Sequence, residues 1–375
     1  MKAQILKKIG TIEYSEIERP VPKGNEALVR ITRCGICGSD IPRIYRTGAH
    51  NMPLIPGHEM AGVVEECAEK PELVGKRVGV FPLLPCHKCR QCLSGHYEMC
   101  ENYDYLGSRS DGGFAEYVKA PLWNLLPIPD AVTDDEAAML EPMAVAVHAI
   151  RGIGLLERGE AKDAYGNRAS SELMQENHSE GSFIVVCGLG TIGLFVAMFL
   201  CDLGYRNVFC IGNKDIQREK LLGMGYDDAH FCDIRVTDPE QFVLEKTGGK
   251  KADYYFECIG RSESYNQAVT LTGPLGKVML VGNPAGDMEL PREVYWKILR
   301  NQMTLKGTWN SSYPEDWEYV VERMSAWGME RNGSAVPDPG SLITHRFGLA
   351  DMAQGLEIMR DKSEEYIKVM VNNAT

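Results

Sequence analysis

The sequence predicts a mixed α/β protein in two parts, a β-rich unit followed by a doubly wound parallel sheet. Up to about residue 150, short β-branched runs alternate with Gly- and Pro-containing segments, which is typical of strands joined by irregular loops. From residue 183, apolar strands alternate with helix-length segments, the pattern of a parallel sheet. The chain has 375 residues, enough for about two domains of ordinary size.

Four runs in the first part have the alternating or β-branched character of strands. They are Ala27–Thr32, Ala61–Glu66, Arg77–Phe81 and Ala115–Lys119. The tail of the chain also mixes helix and strand, with strands expected at Ile343–Phe347 and Tyr366–Val371. Composition alone does not assign this tail to either part.

In the second part, the sequence predicts strands that alternate with helices. Its predicted strands are Phe183–Cys187, Asn207–Ile211, Ala252–Glu257, Gly276–Val281 and Met303–Lys306, and its first helices are Thr191–Leu203 and Asp215–Gly223. The apolar stretch 183–201 approaches the length of a membrane span, but its glycines favour a strand, a tight turn and a helix. The polar segment 156–182 is predicted to be a surface insertion, with a lid or a subunit contact as the alternatives.

Charge and cysteine content narrow the function classes. The formal net charge of −12 argues against general binding to nucleic acid or to a membrane, both of which favour basic surfaces. The first residues contain no long apolar run, so no signal peptide is expected and the predicted location is cytoplasmic. Twelve cysteines in a reducing compartment indicate metal ligands rather than disulfides.

The most specific motif is a group of four cysteines with the spacing C-x2-C-x2-C-x7-C. Its members are Cys86, Cys89, Cys92 and Cys100. Four thiolates can enclose one tetrahedral Zn²⁺ with no open position, which predicts a structural zinc site. An iron–sulfur cluster and free core thiols are the alternatives. The acidic neighbours argue against a zinc ribbon that binds nucleic acid.

A second candidate metal site is dispersed along the chain. Cys37 lies in GICGSD, His58 in PGHE and Glu141 in LEPMA. A thiolate, an imidazole and a carboxylate form a plausible set of three ligands that leaves one position open for a substrate oxygen. Cys34 imitates a CxxC pair with Cys37, but Cys37 is expected to be the ligand.

A glycine-rich motif follows the first strand of the second part and opens a helix. It consists of Gly188, Leu189, Gly190, Thr191, Ile192 and Gly193. In this strand–turn–helix context the glycines allow a tight turn and close backbone approach, and the helix N-terminus faces a pyrophosphate. The motif therefore predicts a nicotinamide dinucleotide site.

The GHE sequence, the four-cysteine segment and this late glycine motif together resemble the zinc-containing medium-chain dehydrogenases, over nearly the whole chain. The phrases CGSDIPRIYRTGAH, PLLPC and YDYLGSRSDGGFAEYV resemble the branch that acts on polyol phosphates. The resemblance implies a GroES-like catalytic domain at 1–150, completed by 312–375, with a Rossmann domain at 151–311 between them. It also implies a homodimer or homotetramer.

For function, the resemblance implies hydride transfer between a secondary alcohol and a nicotinamide cofactor. The expected reaction converts galactitol 1-phosphate to tagatose 6-phosphate. Sorbitol, another polyol or its phosphate, and threonine are the alternative substrates. A non-catalytic relative that only binds a dinucleotide is the remote alternative.

The resemblance also assigns roles to residues near the catalytic zinc, which Cys37, His58 and Glu141 would bind. Glu59 matches a second carboxylate that either exchanges as a ligand or, as we favour, acts from outside the ligand set. Asp40 matches the residue that orients the zinc-bound histidine, and Ser39 matches the hydroxyl that takes the substrate proton. Many relatives pass this proton to a histidine at the position of Pro42, so here water or the cofactor ribose is expected to receive it.

The cofactor preference is predicted from a missing acid. A carboxylate that binds the ribose hydroxyls is expected about 20 residues beyond the last glycine, and Gly212 stands there. With Asn213 and Lys214 it forms a Gly-polar-basic pattern that resembles NADP-dependent members of the family. NADP(H) is therefore the predicted cofactor, with NAD(H) bound through Asp215 as the alternative. Val281 is a further candidate cofactor contact.

A phosphorylated substrate requires a cationic pocket. The candidates are Arg43, Arg109 and Arg300, each of which is equally well explained as a solvated surface charge. Arg300 matches a substrate-side arginine of sorbitol dehydrogenase relatives. The 156–182 insertion is longer than the resemblance leads us to expect.

Overall fold

The computed structural model describes residues 1–156, 181–284, 286–330 and 337–373. The chain divides into two compact units, one formed by Met1–Ala144 with Ser311–Thr375 and the other by Val145–Asn310. Most of the predicted surface insertion, residues 157–180, lies outside the described residues. The mixed α/β class predicted from the sequence is confirmed.

Seventeen strands are described. They are β1 Lys2–Lys8, β2 Thr11–Glu16, β3 Glu26–Ile36, β4 Glu59–Cys67, β5 Arg77–Val80, β6 Leu83–Leu84, β7 Asp104–Tyr105, β8 Tyr117–Pro121, β9 Leu125–Pro127, β10 Ile184–Cys187, β11 Val208–Gly212, β12 Phe231–Asp233, β13 Ala252–Glu257, β14 Thr272–Leu280, β15 Thr304–Gly307, β16 Ile343–Gly348 and β17 Lys368–Asn372. The runs predicted from the sequence all fall on strands of this set.

The described α-helices fall mostly in the second half of the chain. They are α1 Asp40–Pro42, α2 Arg90–Leu93, α3 Asp134–Ala138, α4 Leu140–Ile153, α5 Thr191–Asp202, α6 Asp215–Gly223, α7 Pro239–Lys246, α8 Ser262–Leu271, α9 Arg292–Arg300, α10 Glu315–Glu330 and α11 Met352–Asp361. α1 continues directly into a π-helical turn, Arg43–Thr47. Among the described residues, no helix combines the length and the apolar composition that a membrane span requires.

A seven-stranded sheet organises the first unit. Its order is β16-β17-β3-β4-β5-β9, and β8 also pairs with β3. Inward-facing β-branched side chains such as Val29, Ile31 and Val78 are fully buried and form its core. The C-terminal strand β17 pairs with β3 in antiparallel register, Val369 opposite Ile36, so the tail joins this sheet.

The second unit is a parallel sheet of six strands in the order β12-β11-β10-β13-β14-β15. Strand β10 lies in the middle and its Ile184, Val185 and Val186 are fully buried, as expected of a strand covered on both faces. The order reverses between β10 and β13, where doubly wound sheets bind ligands outside the carboxyl ends of their strands. The predicted doubly wound sheet is therefore confirmed.

Candidate functional site

The antiparallel pairing of β3 and β4 brings the dispersed metal candidates together. β3 ends at Ile36, just before Cys37, and β4 begins at Glu59, just after His58. Because Gly35 pairs with Glu59 across the two strands, the end of one strand lies beside the start of the other. The potential ligand atoms of Cys37, His58 and Glu59 all lie within 4.8 Å of one another.

Asp40 supports this group from helix α1. Its carboxylate is fully buried and accepts a hydrogen bond from the backbone N–H of Cys37 at 3.0 Å. The guanidinium of Arg43 donates to the other carboxylate oxygen, Oδ1. One oxygen of Asp40 thus fixes the Cys37 loop, and Arg43 balances the charge of the carboxylate. Nδ1 of His58 lies 3.6 Å from Asp40 Oδ1, beyond hydrogen-bond distance, so the role of Asp40 in orienting the imidazole remains a prediction.

Glu59 forms a buried ion pair with Lys368, the first residue of β17. The ammonium group of Lys368 donates to Glu59 Oε2 and, at 3.2 Å, to the carbonyl of Ile36. Both side chains are 2% exposed. The one local signal for Lys368 in the sequence is a lysine inside the apolar run IKVMV, and that signal does not identify its partner.

Glu141, in the first turn of α4, is buried at the edge of this group and accepts a hydrogen bond from the Tyr105 hydroxyl at 3.2 Å. Burial raises the pKa of Glu141 to about 7, an effect that His58 opposes and the Glu59 carboxylate reinforces. The ligand atoms that lie within 4.8 Å of one another belong to Cys37, His58 and Glu59, and Glu141 is not among these residues. The role of Glu141 as third ligand therefore remains a prediction.

The chemistry of these donors fits a divalent cation. Burial, and then the carboxylates of Glu59 and Asp40, raise the pKa of the Cys37 thiol to about 12. Nδ1 of His58 is buried and has no hydrogen-bond partner among the described residues. A zinc ion would favour the thiolate of Cys37, because a coordinating thiol is deprotonated by the metal. Thiolate, imidazole and carboxylate are the ligands that zinc takes in proteins.

The four-cysteine motif folds around one point. Cys89 precedes α2, Cys92 lies within it, and Cys100 follows a 3-10 turn, so the short spacing suffices to converge the sulfurs. The Sγ atoms of Cys89 and Cys92 lie 3.5 Å apart, those of Cys86 and Cys92 4.0 Å, and those of Cys89 and Cys100 3.9 Å. Four thiolates about 2.3 Å from a central zinc would be separated by about 3.8 Å. All twelve cysteines are free thiols, and this group matches a single tetrahedral ion.

The glycine motif adopts the predicted strand–turn–helix geometry between β10 and α5. Gly188 has φ +94°, a conformation that a residue with a side chain rarely adopts, and a Cβ at Gly193 would collide with the Gly188 carbonyl. Gly190 is the N-cap of α5 and has no side chain that could cap the first turn. Leu189 is buried and anchors the turn. Such a helix N-terminus suits a pyrophosphate.

Gly212 is the last residue of β11, where the ribose-binding acid is expected. A Cβ at this position would lie 2.5 Å from Oε1 of Gln217, a buried side chain of α6. That same oxygen accepts the backbone N–H groups of Asn213 at 2.9 Å and Lys214 at 3.1 Å, and so shapes the loop. Val281 follows β14 and donates its backbone N–H to the carbonyl of Glu257 at the end of β13.

The three candidate substrate arginines each contact a different partner within their own unit. Arg43 is paired with Asp40 beside the metal candidates. Arg109 follows β7, with its guanidinium 4.3 Å from the centre of the Tyr103 ring. Arg300 ends α9 in the second unit, 5.0 Å from the Trp296 ring. Ser39 is the N-cap of α1, and its side chain makes no capping bond there.

Comparisons with known proteins match both units. The family model of the alcohol dehydrogenase GroES-like domain matches residues 23–130, and that of zinc-binding dehydrogenases matches residues 191–326. The chain is 31% identical over 366 residues to galactitol 1-phosphate 5-dehydrogenase of Escherichia coli K12, with 95% of each chain covered. It is 28% identical over 378 residues to sorbitol dehydrogenase of Halalkalibacterium halodurans, with 99% of each covered.

Among solved structures, galactitol-1-phosphate dehydrogenase from Escherichia coli is similar to this chain with a TM-score of 0.81. The two are 27% identical, and the similarity covers 99% of this chain and 100% of the other. The likeness therefore extends over both units.

Proposed function

Since this chain belongs to the zinc-containing medium-chain alcohol dehydrogenases, we propose that it transfers a hydride between a secondary alcohol of a polyol phosphate and a nicotinamide dinucleotide. The observation that carries the proposal is the converging group of Cys37 with the buried His58 and Glu59, in a chain 31% identical to a galactitol 1-phosphate dehydrogenase. The proposed reaction oxidises galactitol 1-phosphate to tagatose 6-phosphate. The alcohol carbon gives its hydride to the cofactor, and the hydroxyl gives up a proton.

In this proposal each chain holds two zinc ions. Cys37 and His58 would hold the catalytic ion together with Glu141, and Cys86, Cys89, Cys92 and Cys100 would hold a structural one. When bound, the catalytic zinc polarises the alcohol oxygen and favours loss of its proton. Lys368 holds the Glu59 carboxylate away from full ligation, since an ion pair competes for its charge.

The proton route depends on residues of the α1 segment. Ser39 accepts the hydroxyl proton at its Oγ, and this oxygen is free of a capping bond. Pro42 has no side-chain group that can take the proton onward, so it passes to water or to the cofactor ribose. Asp40, neutralised by Arg43, orients His58 and fixes the Cys37 loop. Arg43, Arg109 and Arg300 are the candidate partners of the substrate phosphate.

A substrate panel tests the proposed function. Zinc-loaded enzyme is assayed with galactitol 1-phosphate, galactitol, sorbitol and threonine, each with NADP⁺ and with NAD⁺. We expect kcat/KM for galactitol 1-phosphate to exceed that for galactitol by at least about tenfold, because phosphate–arginine hydrogen bonds are charge-assisted. Higher kcat/KM for sorbitol or threonine would replace the proposed substrate by one of these. Turnover of none of them, together with one zinc per chain, would favour a non-catalytic dinucleotide-binding relative.

The second part of the proposal is a preference for NADP(H), and Gly212→Asp tests it. A carboxylate here repels the ribose 2′-phosphate of NADP(H) and accepts hydrogen bonds from the ribose hydroxyls of NAD(H). The NADPH to NADH ratio of kcat/KM is expected to fall by about ten- to a hundredfold, the range for a hydrogen bond to a charged group. Steady-state kinetics with both cofactors measure it.

Gly212→Asn is the matched control, because it adds a side chain of the same size without the charge. Either side chain must displace Gln217, whose Oε1 lies 2.5 Å from the position of a new Cβ. The asparagine variant is expected to weaken the binding of both cofactors, and to change the NADPH to NADH ratio of kcat/KM less than Gly212→Asp does. A wild-type enzyme that clearly prefers NADH, or equal ratios in both variants, would contradict the proposed preference.

A further inference from the structure

Arg235 lies at the edge of the second sheet where the adenosine end of a dinucleotide is expected. It stands two residues beyond the end of β12, the neighbour of β11. The backbone N–H of Ile234 donates to the carbonyl of Gly212 at 3.0 Å, which ties the segment after β12 to the end of β11. Arg235 therefore shares an edge with Gly212, Asn213 and Lys214.

Two carboxylates hold the guanidinium of Arg235 in place. Its Nε contacts both oxygens of Asp233 at 2.9 and 3.1 Å, and its Nη2 donates to Asp233 at 2.6 Å. The same Nη2 donates to Asp215 Oδ1 at 2.5 Å. Nη1 donates to no described residue, and the side chain is 44% exposed. One edge of the guanidinium is thus fixed by Asp233, and the remainder is available to an anion.

The two aspartates are bound differently. Asp233 ends a strand and accepts three bonds from the Arg235 side chain, so it acts as the fixed support. Asp215 begins α6, is 85% exposed, and makes a single contact with Arg235. An exposed ion pair of this kind contributes little to stability, so an incoming anion can replace it at little cost.

We infer that Arg235 binds the ribose 2′-phosphate of NADP(H), taking the phosphate in place of the Asp215 carboxylate. A planar guanidinium supported on one edge presents its other N–H groups in the geometry that phosphate oxygens accept. Lys214, in the loop that follows β11, adds a second positive charge at this edge of the sheet. The exposed apolar side chains on either side of Arg235, Ile234 and Val236, offer a surface for the adenine ring. The inference rests on the proposed preference for NADP(H).

The inference predicts opposite effects from two substitutions at one ion pair. Arg235→Gln removes the phosphate ligand and is expected to weaken 2′,5′-ADP binding by about ten- to a hundredfold, with 5′-AMP changed less than about twofold. Asp215→Asn removes the competing carboxylate and is expected to tighten 2′,5′-ADP severalfold. Calorimetric titration of the full-length, zinc-loaded protein measures both ligands, and KM values for NADPH and NADH follow the same pattern.

Arg218→Gln is the matched control. Arg218 lies on α6 and forms an ion pair with Asp228 at 2.5 Å. Asp228 comes before β12 in the chain, so this pair lies at the other end of that strand from Arg235. This variant is expected to bind both ligands within about twofold of the wild type. An unchanged affinity of Arg235→Gln for 2′,5′-ADP, or an equal loss for 5′-AMP, would overturn the inference while the NADP(H) preference stands. Two results together would instead overturn the proposed preference for NADP(H). Wild-type protein would bind 2′,5′-ADP no more tightly than 5′-AMP, and Asp215→Asn would weaken the binding of NADH.

Discussion

Replacement of Cys37 by alanine is expected to lower kcat/KM for the alcohol roughly a thousandfold or more and to remove one zinc ion from each chain. The thiolate is the soft, negatively charged ligand of this set, and its loss leaves His58 and carboxylates alone, which we expect to bind zinc more weakly. A zinc Lewis acid contributes several kcal/mol of transition-state stabilisation, and about 4 kcal/mol corresponds to roughly a thousandfold in rate. Steady-state kinetics and atomic emission analysis of the same preparation measure rate and metal content together.

Cys34→Ala provides the control, because Cys34 is a buried thiol three residues away whose sulfur packs against the backbone near Gly57 and Gly113. It lies outside the group of converging ligand atoms. This variant is expected to keep two zinc ions and near-normal kcat/KM, although the small cavity it leaves lowers stability somewhat. A Cys37→Ala enzyme that retains two zinc ions and full activity would disprove the assignment of the catalytic site.

The sequence predicts those parts of the fold that rest on local patterns. Strands β10 and β11 and helix α5 are apolar runs bounded by glycine, so hydrophobicity alone marks them. Strand β12 is only three residues long and ends in Asp233, which leaves too short a pattern to detect. The hairpin of β1 and β2 is rich in Lys and Glu and is largely exposed on β2, so it resembles a loop in the sequence.

The same contrast holds for the candidate sites. Four cysteines within fifteen residues converge through local turns, so their spacing suffices to predict the group. The contact of Glu59 with Lys368 joins residues 309 positions apart and depends on which strands pair with β3. Arg235 likewise reaches Asp215 only because β12 lies beside β11. Contacts that depend on strand order cannot be predicted from residue spacing.

Replacement of Lys368 by methionine is expected to destabilise the first unit by about 3–5 kcal/mol, the cost of leaving one partner of a buried ion pair uncompensated. Both side chains of the pair are 2% exposed, so water cannot solvate the remaining Glu59 carboxylate. At about 2–4 °C per kcal/mol for a unit of this size, the melting temperature should fall by about 6–20 °C. The fall should be smaller in zinc-loaded than in zinc-free protein, because the cation beside Glu59 partly replaces the lost ammonium. Thermal denaturation of both forms measures the two shifts.

Lys119→Met is the control for the loss of a lysine from an ion pair. Lys119 contacts Glu26 at 3.4 Å and is 44% exposed, so this substitution is expected to change stability by less than about 1 kcal/mol. Adding Glu59→Gln to Lys368→Met removes both charges, and the double variant should recover much of the lost stability, because replacing both partners of a buried pair is often neutral. A Lys368→Met protein that melts like Lys119→Met would show that the Glu59 charge is already satisfied without the lysine. Recovery of stability in the double variant without recovery of kcat/KM would locate the functional importance of the pair in Glu59, beside the metal ligands.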